Sequence, residues 1–483
     1  MASQQQQLLQ TIPLKVFVDK QSNKVVFVEA TKHFVDTLFS FLSLPLGTIV
    51  RLLSTTNNNN DQQQLPESSP FLENIKNLYQ SVQNRNSDIP WNNPFCEHML
   101  LYPRNPCESL CKKLFFNIDD TQPSNNFYVC VFCDKFTNLI GVNCTCGKPT
   151  IRQPTILDSD EGQVNYSQDG VFVRETTPWF LVSDDLKKII PCSYFSSLEM
   201  LTVLGYSDLT QLEEVTHNIN KQEILNLLKY TLTSHEPLTN TILKSSSKNK
   251  GNSSPIQSAS PVRVMPCISD KSKIDIKLPY HAIRVNLKLL GANSFAGCVG
   301  NLYKSVENLD PSSVLLNPGI APQFGCANQP LNIPHVLPPP TTYYYGLKRK
   351  RDHYDFNKEK RVISKSNASI VNPRVLISLD PRPLNMSREG VVGFVKREAF
   401  YYVRDNLKVK QILANSRFNL SNLKKENPPL DDLEVKVITI GDTEALRFLG
   451  AFLTSKFTLT SVLGDFLNAA TQESISASNF LSL

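Results

Sequence analysis

Glycine is scarce in this sequence, 18 residues in 483, and charged side chains make up only 19% of it. The shortage of glycine argues against a phosphate-cradling loop. No G-x-x-x-x-G-K-[ST], G-x-G-x-x-G, G-x-S-x-G or H-E-x-x-H occurs. Low charge beside 41% apolar and 9% aromatic residues excludes wholesale disorder, which needs the opposite balance. Long apolar runs are missing too. The most apolar stretch, Phe34 to Leu53, is broken by Asp36, Pro45, Gly47 and Arg51. A membrane span needs about 20 mostly apolar residues, so this stretch reads as a core helix followed by a turn. The opening Met1-Ala-Ser-Gln-Gln-Gln-Gln-Leu has neither a basic nor an apolar region of the secretory kind. The expectation is an intracellular protein, cytoplasmic and/or nuclear, with no membrane partner.

The length corresponds to two or three domains at about 150 residues each. Net charge is +6, from 50 basic and 44 acidic side chains, too mild an excess to imply a nucleic-acid partner by itself. The 11 cysteines are odd in number and unevenly spread, which favours reduced thiols or a metal site over a disulfide framework.

The sequence repeats itself. Asn77-Leu-Tyr-Gln-Ser-Val82 returns 224 residues later as Asn301-Leu-Tyr-Lys-Ser-Val306, and Leu100-Leu-Tyr-Pro103 is echoed by Leu315-Leu-Asn-Pro318. Further on the separation settles at 221. Val182-Ser-Asp-Asp-Leu186 pairs with Val403-Arg-Asp-Asn-Leu407, Glu223 with Glu444, and Leu232-Thr-Ser234 with Leu453-Thr-Ser455. An ordered series on nearly one diagonal marks a tandem duplication. The first copy is read as 12–243 and the second as 273–467. The polar, Ser- and Lys-rich stretch 244–272 is the flexible linker, 1–11 a disordered tail and 468–483 a C-terminal tail. Asn57 to Gln64 is a low-complexity insertion, and 338–365 is expected to be an irregular basic loop.

Within a copy the pattern is mixed α and β. Leu14–Asp19 and Val25–Val28 flank a turn and read as a hairpin. Thr31 is expected to cap a helix with Phe34, Val35, Leu38, Phe39 and Leu42 on its apolar side, ended by Pro45 and Gly47. Strands are expected at Val171–Val173 and Trp179–Val182, mirrored at Gly393–Val395 and Phe400–Val403. Helical stripes follow at Ile224–Leu232 and Ala445–Leu453. The start of the second copy, Ser272 to Leu290, is β-prone and aligns only loosely with the first hairpin. The fold class is therefore α+β: a tandem duplication of one mixed α/β unit, with a small zinc-ribbon-like β insertion in the first copy at 126–150.

That insertion carries the densest chemistry. Cys130-Val-Phe-Cys133 and Cys144-Thr-Cys146 form a C-x2-C-x10-C-x-C pattern. Two close cysteine pairs on tight turns supply the four soft donors of a tetrahedral zinc site, with Gly141 and Gly147 suited to the turning backbone. The alternative is four buried thiols. With all four donors used, the site would be structural and not catalytic. The matching stretch of the second copy, Tyr343-Tyr-Tyr345, has no cysteine, so the metal belongs to the first. Cys96, Cys107 and Cys111, with His98 nearby, offer a second site but read more readily as core or surface thiols.

No enzyme signature appears. His33, His98, His217, His235, His281, His335 and His353 are scattered, and Cys326 with His335 makes no recognisable nucleophile–base pair. Asp184-Asp185 and Asp405-Asn406 recur at a strand-to-turn junction, where Asp usually accepts from backbone donors. The tetrabasic run Lys348, Arg349, Lys350, Arg351 has three readings: a nuclear-import signal, a phosphate-contacting patch, or a solvated loop.

Leu14–Ala30, Phe34–Thr48, Asn77–Val82, Cys144–Lys148, Ala321–Gly325 and Asp405–Lys408 together resemble a plant family known only as domain of unknown function 674. The resemblance covers about 12–467 and implies tandem copies and no established activity. It transfers no catalytic residue. The expected function is a non-enzymatic protein-interaction or regulatory module with structural zinc and an unidentified protein partner. Nucleic-acid association through 348–361 is the alternative, and an enzyme of unrecognised type a weaker one.

Overall fold

The structure is a computed structural model. It describes residues 10–55, 69–84, 89, 91, 93–121, 126–153, 170–173, 179–192, 201, 209–244, 297–310, 313–316, 342–348, 361–382, 394–395, 400–412, 438 and 440–464. The apolar runs at the start of the chain do form a hairpin. Thr11–Asp19 pairs antiparallel with Lys24–Thr31, and Asn23 turns the chain at φ 51°. Three further strands extend it into a five-stranded antiparallel sheet in the order Ile189–Pro191, Trp179–Ser183, Lys24–Thr31, Thr11–Asp19, Leu212–Asn220. Leu14, Val16, Val28 and Ala30 are buried on it. Strand alternation puts Phe17 on the opposite face, in a second cluster with Phe27, Leu181 and Leu201, and a register shift follows between Phe17 and Val18. The last strand, Leu212–Asn220, lies at the edge and exposes Glu213 and Glu214, charges that discourage further pairing.

The helix after the hairpin runs Lys32–Ser40 and continues as a 3-10 turn, Phe41–Ser43. Thr31 occupies its N-cap position, but the hydroxyl makes no capping bond and is buried without a partner. The helical stretch stops at Ser43, with Leu44 extended before Pro45, so Pro45 and Gly47 do follow its end as expected. They also open a second helix, Leu46–Thr55, because a proline immediately before a helix surrenders no hydrogen bond. The expected strand Val171–Val173 is absent. Its three amides instead wrap the Asp36 carboxylate, donating to it at 2.8, 2.8 and 2.9 Å.

A second, six-stranded sheet is ordered Arg361–Ser364, Tyr343–Lys348, Ile370–Ser378, Lys135–Thr137, Phe127–Cys130, Ile151–Gln153. Three strands come from each copy, and the two sets join through a parallel pairing of Ile377 with Lys135 and Ser378 with Phe136. The sheet curls until its end strands touch. It encloses Phe127, Val129, Tyr345, Ile363 and Leu376. Two strands thus occupy the segment expected to be an irregular loop at 338–365.

Two compact units result. One comprises Met1–Gln62, Tyr102–Lys250 and Tyr280–Val392, and holds both sheets with the helices Lys221–Thr233, Pro237–Ile242 and Val299–Leu309. The other comprises Gln63–Leu101, Gly251–Pro279 and Gly393–Leu483. It holds the helices Pro70–Gln83, Pro94–Leu101 and Asp442–Thr454 and the strand pair Phe400–Val403 with Val409–Ile412. The low-complexity insertion, most of the linker and Ser272–Leu290 lie outside the described residues, as do both tails apart from Gln10 and Thr11.

Candidate metal centre

Two turns build the cysteine cluster. Phe127–Cys130 and Lys135–Thr137 pair antiparallel, and the chain reverses between them with Asp134 at φ 52° and its N–H bonded to the Cys130 carbonyl at 3.1 Å. That turn carries Cys130 and Cys133. The second turn is closed by the Cys144 N–H on the Lys148 carbonyl and the Gly147 N–H on the Cys144 carbonyl, both at 2.8 Å. Gly141 and Gly147 both sit at φ 80°, a region where a β-carbon is strained, so glycine is required there. Lys135 Nζ ties the turns together by donating to Thr145 Oγ1 at 2.8 Å.

The result brings the four sulfurs of Cys130, Cys133, Cys144 and Cys146 within 4.8 Å of one another. Cys130 Sγ and Cys146 Sγ are 3.6 Å apart. A tetrahedron with metal–sulfur bonds of about 2.3 Å has edges of about 3.8 Å, so this spacing fits an ion that takes four sulfur ligands. Cys130 and Cys144 are buried, Cys133 half-buried and Cys146 exposed. The Lys148 amide beside Cys146 holds that thiol down at about 7, so it forms a thiolate readily. Hydrogen bonding to the Cys146 sulfur pushes Cys133 up to about 12, and burial raises Cys130. Every candidate ligand read from the sequence is therefore brought to one place, and the cluster can hold a metal ion.

The other candidates fare differently. Cys107 and Cys111 are buried, and Cys111 lies 3.6 Å from Ser43 Oγ and 3.5 Å from Asn105 Nδ2. Burial pushes Cys111 up to about 12, the behaviour of an inert core thiol. Among the described residues no further group of three His, Cys, Asp or Glu converges. Lys348 is exposed at the end of its strand, whereas Arg349, Lys350 and Arg351 lie outside the described residues, as do Cys326 and His335. Among the described residues no helix is long and apolar enough to cross a membrane.

The repeated Asp does accept from backbone donors. Asp184 takes the Leu238 and Thr239 amides at 2.8 and 3.0 Å and the Thr239 hydroxyl at 2.6 Å. Asp405 takes the Thr460 amide and hydroxyl at 2.9 and 2.6 Å. Asp36 was visible only as a charge interrupting an apolar stretch, and that oddity was the one signal for its buried role.

Two comparisons identify no relative: no curated protein and no solved structure matches the chain. A family model matches twice, over residues 9–282 and again over 278–443, so tandem copies of one domain are present. The chain belongs to the family described as Protein of unknown function (DUF674).

Proposed function

We propose that this chain is a non-enzymatic interaction module whose cysteine cluster holds a structural zinc ion. The observation that carries the reading is four thiol sulfurs within 4.8 Å on two short turns. Four thiolates complete a tetrahedral shell and leave no position for water or substrate, which suits an ion that fixes shape. Bound there, zinc would cross-link the 130–133 turn to the 144–146 turn. The interaction role is supported by where apolar surface is left uncovered. Phe132 is 71% exposed and lies between two of the cysteines, and Ile140, 72% exposed, precedes the second turn. Val371, Val375 and Ile377 add exposed apolar area on the same sheet.

Elemental analysis of the purified chain should find about one zinc per molecule. Cys130→Ala and Cys146→Ser should each abolish it; full occupancy in both variants would reject the site. The interaction role is checked separately with Phe132→Ser and Ile140→Ser together. These should keep the metal yet lose a partner that wild type recovers reproducibly, and failure of wild type to recover any partner counts against the reading.

A second reading is contact with nucleic-acid phosphates through 348–361. It is supported by the exposed Lys348 and Arg361 at the ends of two paired strands that this basic stretch connects. Affinity for a duplex should then fall steeply with salt, and replacing Lys348 to Arg351 by Ser should flatten that dependence.

A further inference from the structure

In each unit the N-L-Y-x-S-V helix of one copy meets a hairpin of the other, Trp179–Ser183 with Ile189–Pro191 in the first copy and Phe400–Val403 with Val409–Ile412 in the second. In the first unit, the second copy's helix Val299–Leu309 lies on the first copy's hairpin. Asn301 Nδ2 donates to the Asp185 carbonyl at 2.8 Å, and Ser305 Oγ donates to the Leu186 carbonyl at 2.8 Å. The start of this helix meets the end of the first copy's helix Lys221–Thr233, so closely that a β-carbon on Gly297 would lie 2.4 Å from the Thr231 carbonyl oxygen. In the second unit the roles reverse. The first copy's helix Pro70–Gln83 lies on the second copy's hairpin. Asn77 Nδ2 donates to the Asn406 carbonyl at 2.8 Å, and Ser81 Oγ accepts from the Val409 amide at 2.9 Å. Its Asn74 reaches the Phe452 and Ser455 carbonyls at the end of Asp442–Thr454.

The two arrangements correspond in position and in the asparagine bond, while the two serines bond different backbone groups of the turn. Asn77 corresponds to Asn301 and Ser81 to Ser305, while Leu186 and Leu407 hold the same turn position at φ 54° and 59°. Each helix buries its apolar side: Leu302 and Val306 in one unit, Leu78 and Val82 in the other.

We infer that the two copies are reciprocal partners: each supplies its N-L-Y-x-S-V helix to the hairpin and C-terminal helix of the other. The recognised surface is the hairpin turn together with the end of the helix Lys221–Thr233, or of its counterpart Asp442–Thr454. Its partner is an amphipathic helix carrying Asn and Ser four residues apart, and the other copy of this chain provides one. A single copy is left with a helix and a hairpin that must close on each other or on a second chain.

The test uses the full chain. A protease site placed within 244–261 is cut after folding, and the fragments should co-elute as the intact chain does and part only in denaturant. Elution as two separately folded species would overturn the inference. Hydrogen exchange then assigns the pairing. Leu302→Ala should accelerate exchange at Ser183 and Leu186 by about tenfold or more and leave Arg404 and Leu407 unchanged. Leu78→Ala should do the reverse. Acceleration within the mutated copy's own hairpin, or equal acceleration of both, would overturn the pairing. Leu302→Val and Leu78→Val give the same readout where the alanine variants do not fold.

Discussion

At the scale of single residues, Asp36 and Asp184 serve the fold by binding backbone donors. Buried Asp36 and half-buried Asp184 each gather three donors, and burial raises both carboxyls above the ordinary range against the pull of those donors. The folded chain therefore keeps protons that the unfolded chain releases. Stability from these groups is fully present below about pH 4, the ordinary carboxylate value, and declines as pH rises through the raised values. Asp184→Asn should flatten that part of the curve, measured as urea midpoints from pH 4 to 6. It should also cost about 1–3 kcal/mol, because an amide nitrogen would face the Thr239 hydroxyl or the amides it now satisfies. An unchanged midpoint and slope would show that Asp184 contributes nothing.

At the scale of elements, the cysteine turns sit where the two sets of strands join. The Ile377 amide donates to the Asp134 carbonyl at 2.8 Å and the Leu379 amide to the Phe136 carbonyl at 2.7 Å. Arg374 pairs with Asp134 at 2.9 Å and lies over the Tyr345 ring. Three short strands on the cysteine side have little packing of their own, so the order of the turn sets the order of the junction. Chelation should speed exchange at Ile377 and Leu379 while sparing the first hairpin, Thr11–Thr31. Uniform protection after metal loss would disconnect the cluster from the sheet. The helix Lys221–Thr233 was plain in the sequence. It buries Ile224, Leu227, Leu228 and Leu232, and Asn220 with Glu223 forms a capping box at its start. Leu228→Ala should cost about 2–5 kcal/mol, read from the denaturation midpoint.

At the scale of the whole molecule, duplication in sequence does not produce two self-sufficient bodies in series. One compact unit needs the helix Val299–Leu309 and the strands Tyr343–Lys348, Arg361–Ser364 and Ile370–Ser378 from the second copy. A chain ending at residue 243 would lose these and uncover Val129, Leu186 and Phe172. It should bind a hydrophobic dye and melt well below the intact protein. A truncated chain that is monomeric and as heat-stable as the full one would contradict this.

The periodicities of the chain, by themselves, were enough for what neighbouring residues decide. The first hairpin, the helices at 221–233 and 442–454, the repeat offsets and the two cysteine pairs all depend on spacings of a few residues. Val171–Val173 was misread because an apolar triplet looks the same beside a strand as around a buried carboxylate 135 residues away. The second helix, Leu46–Thr55, was missed because Pro45 serves a stop and a start equally well. Only the tertiary structure decided which copy's helix meets which hairpin, and that Lys135 lies beside Ile377. Equivalent residues of a duplicated sequence carry identical local signals, so either partner satisfies the pattern. The choice between them rests on chain connectivity and packing over more than 100 residues, which no local period records.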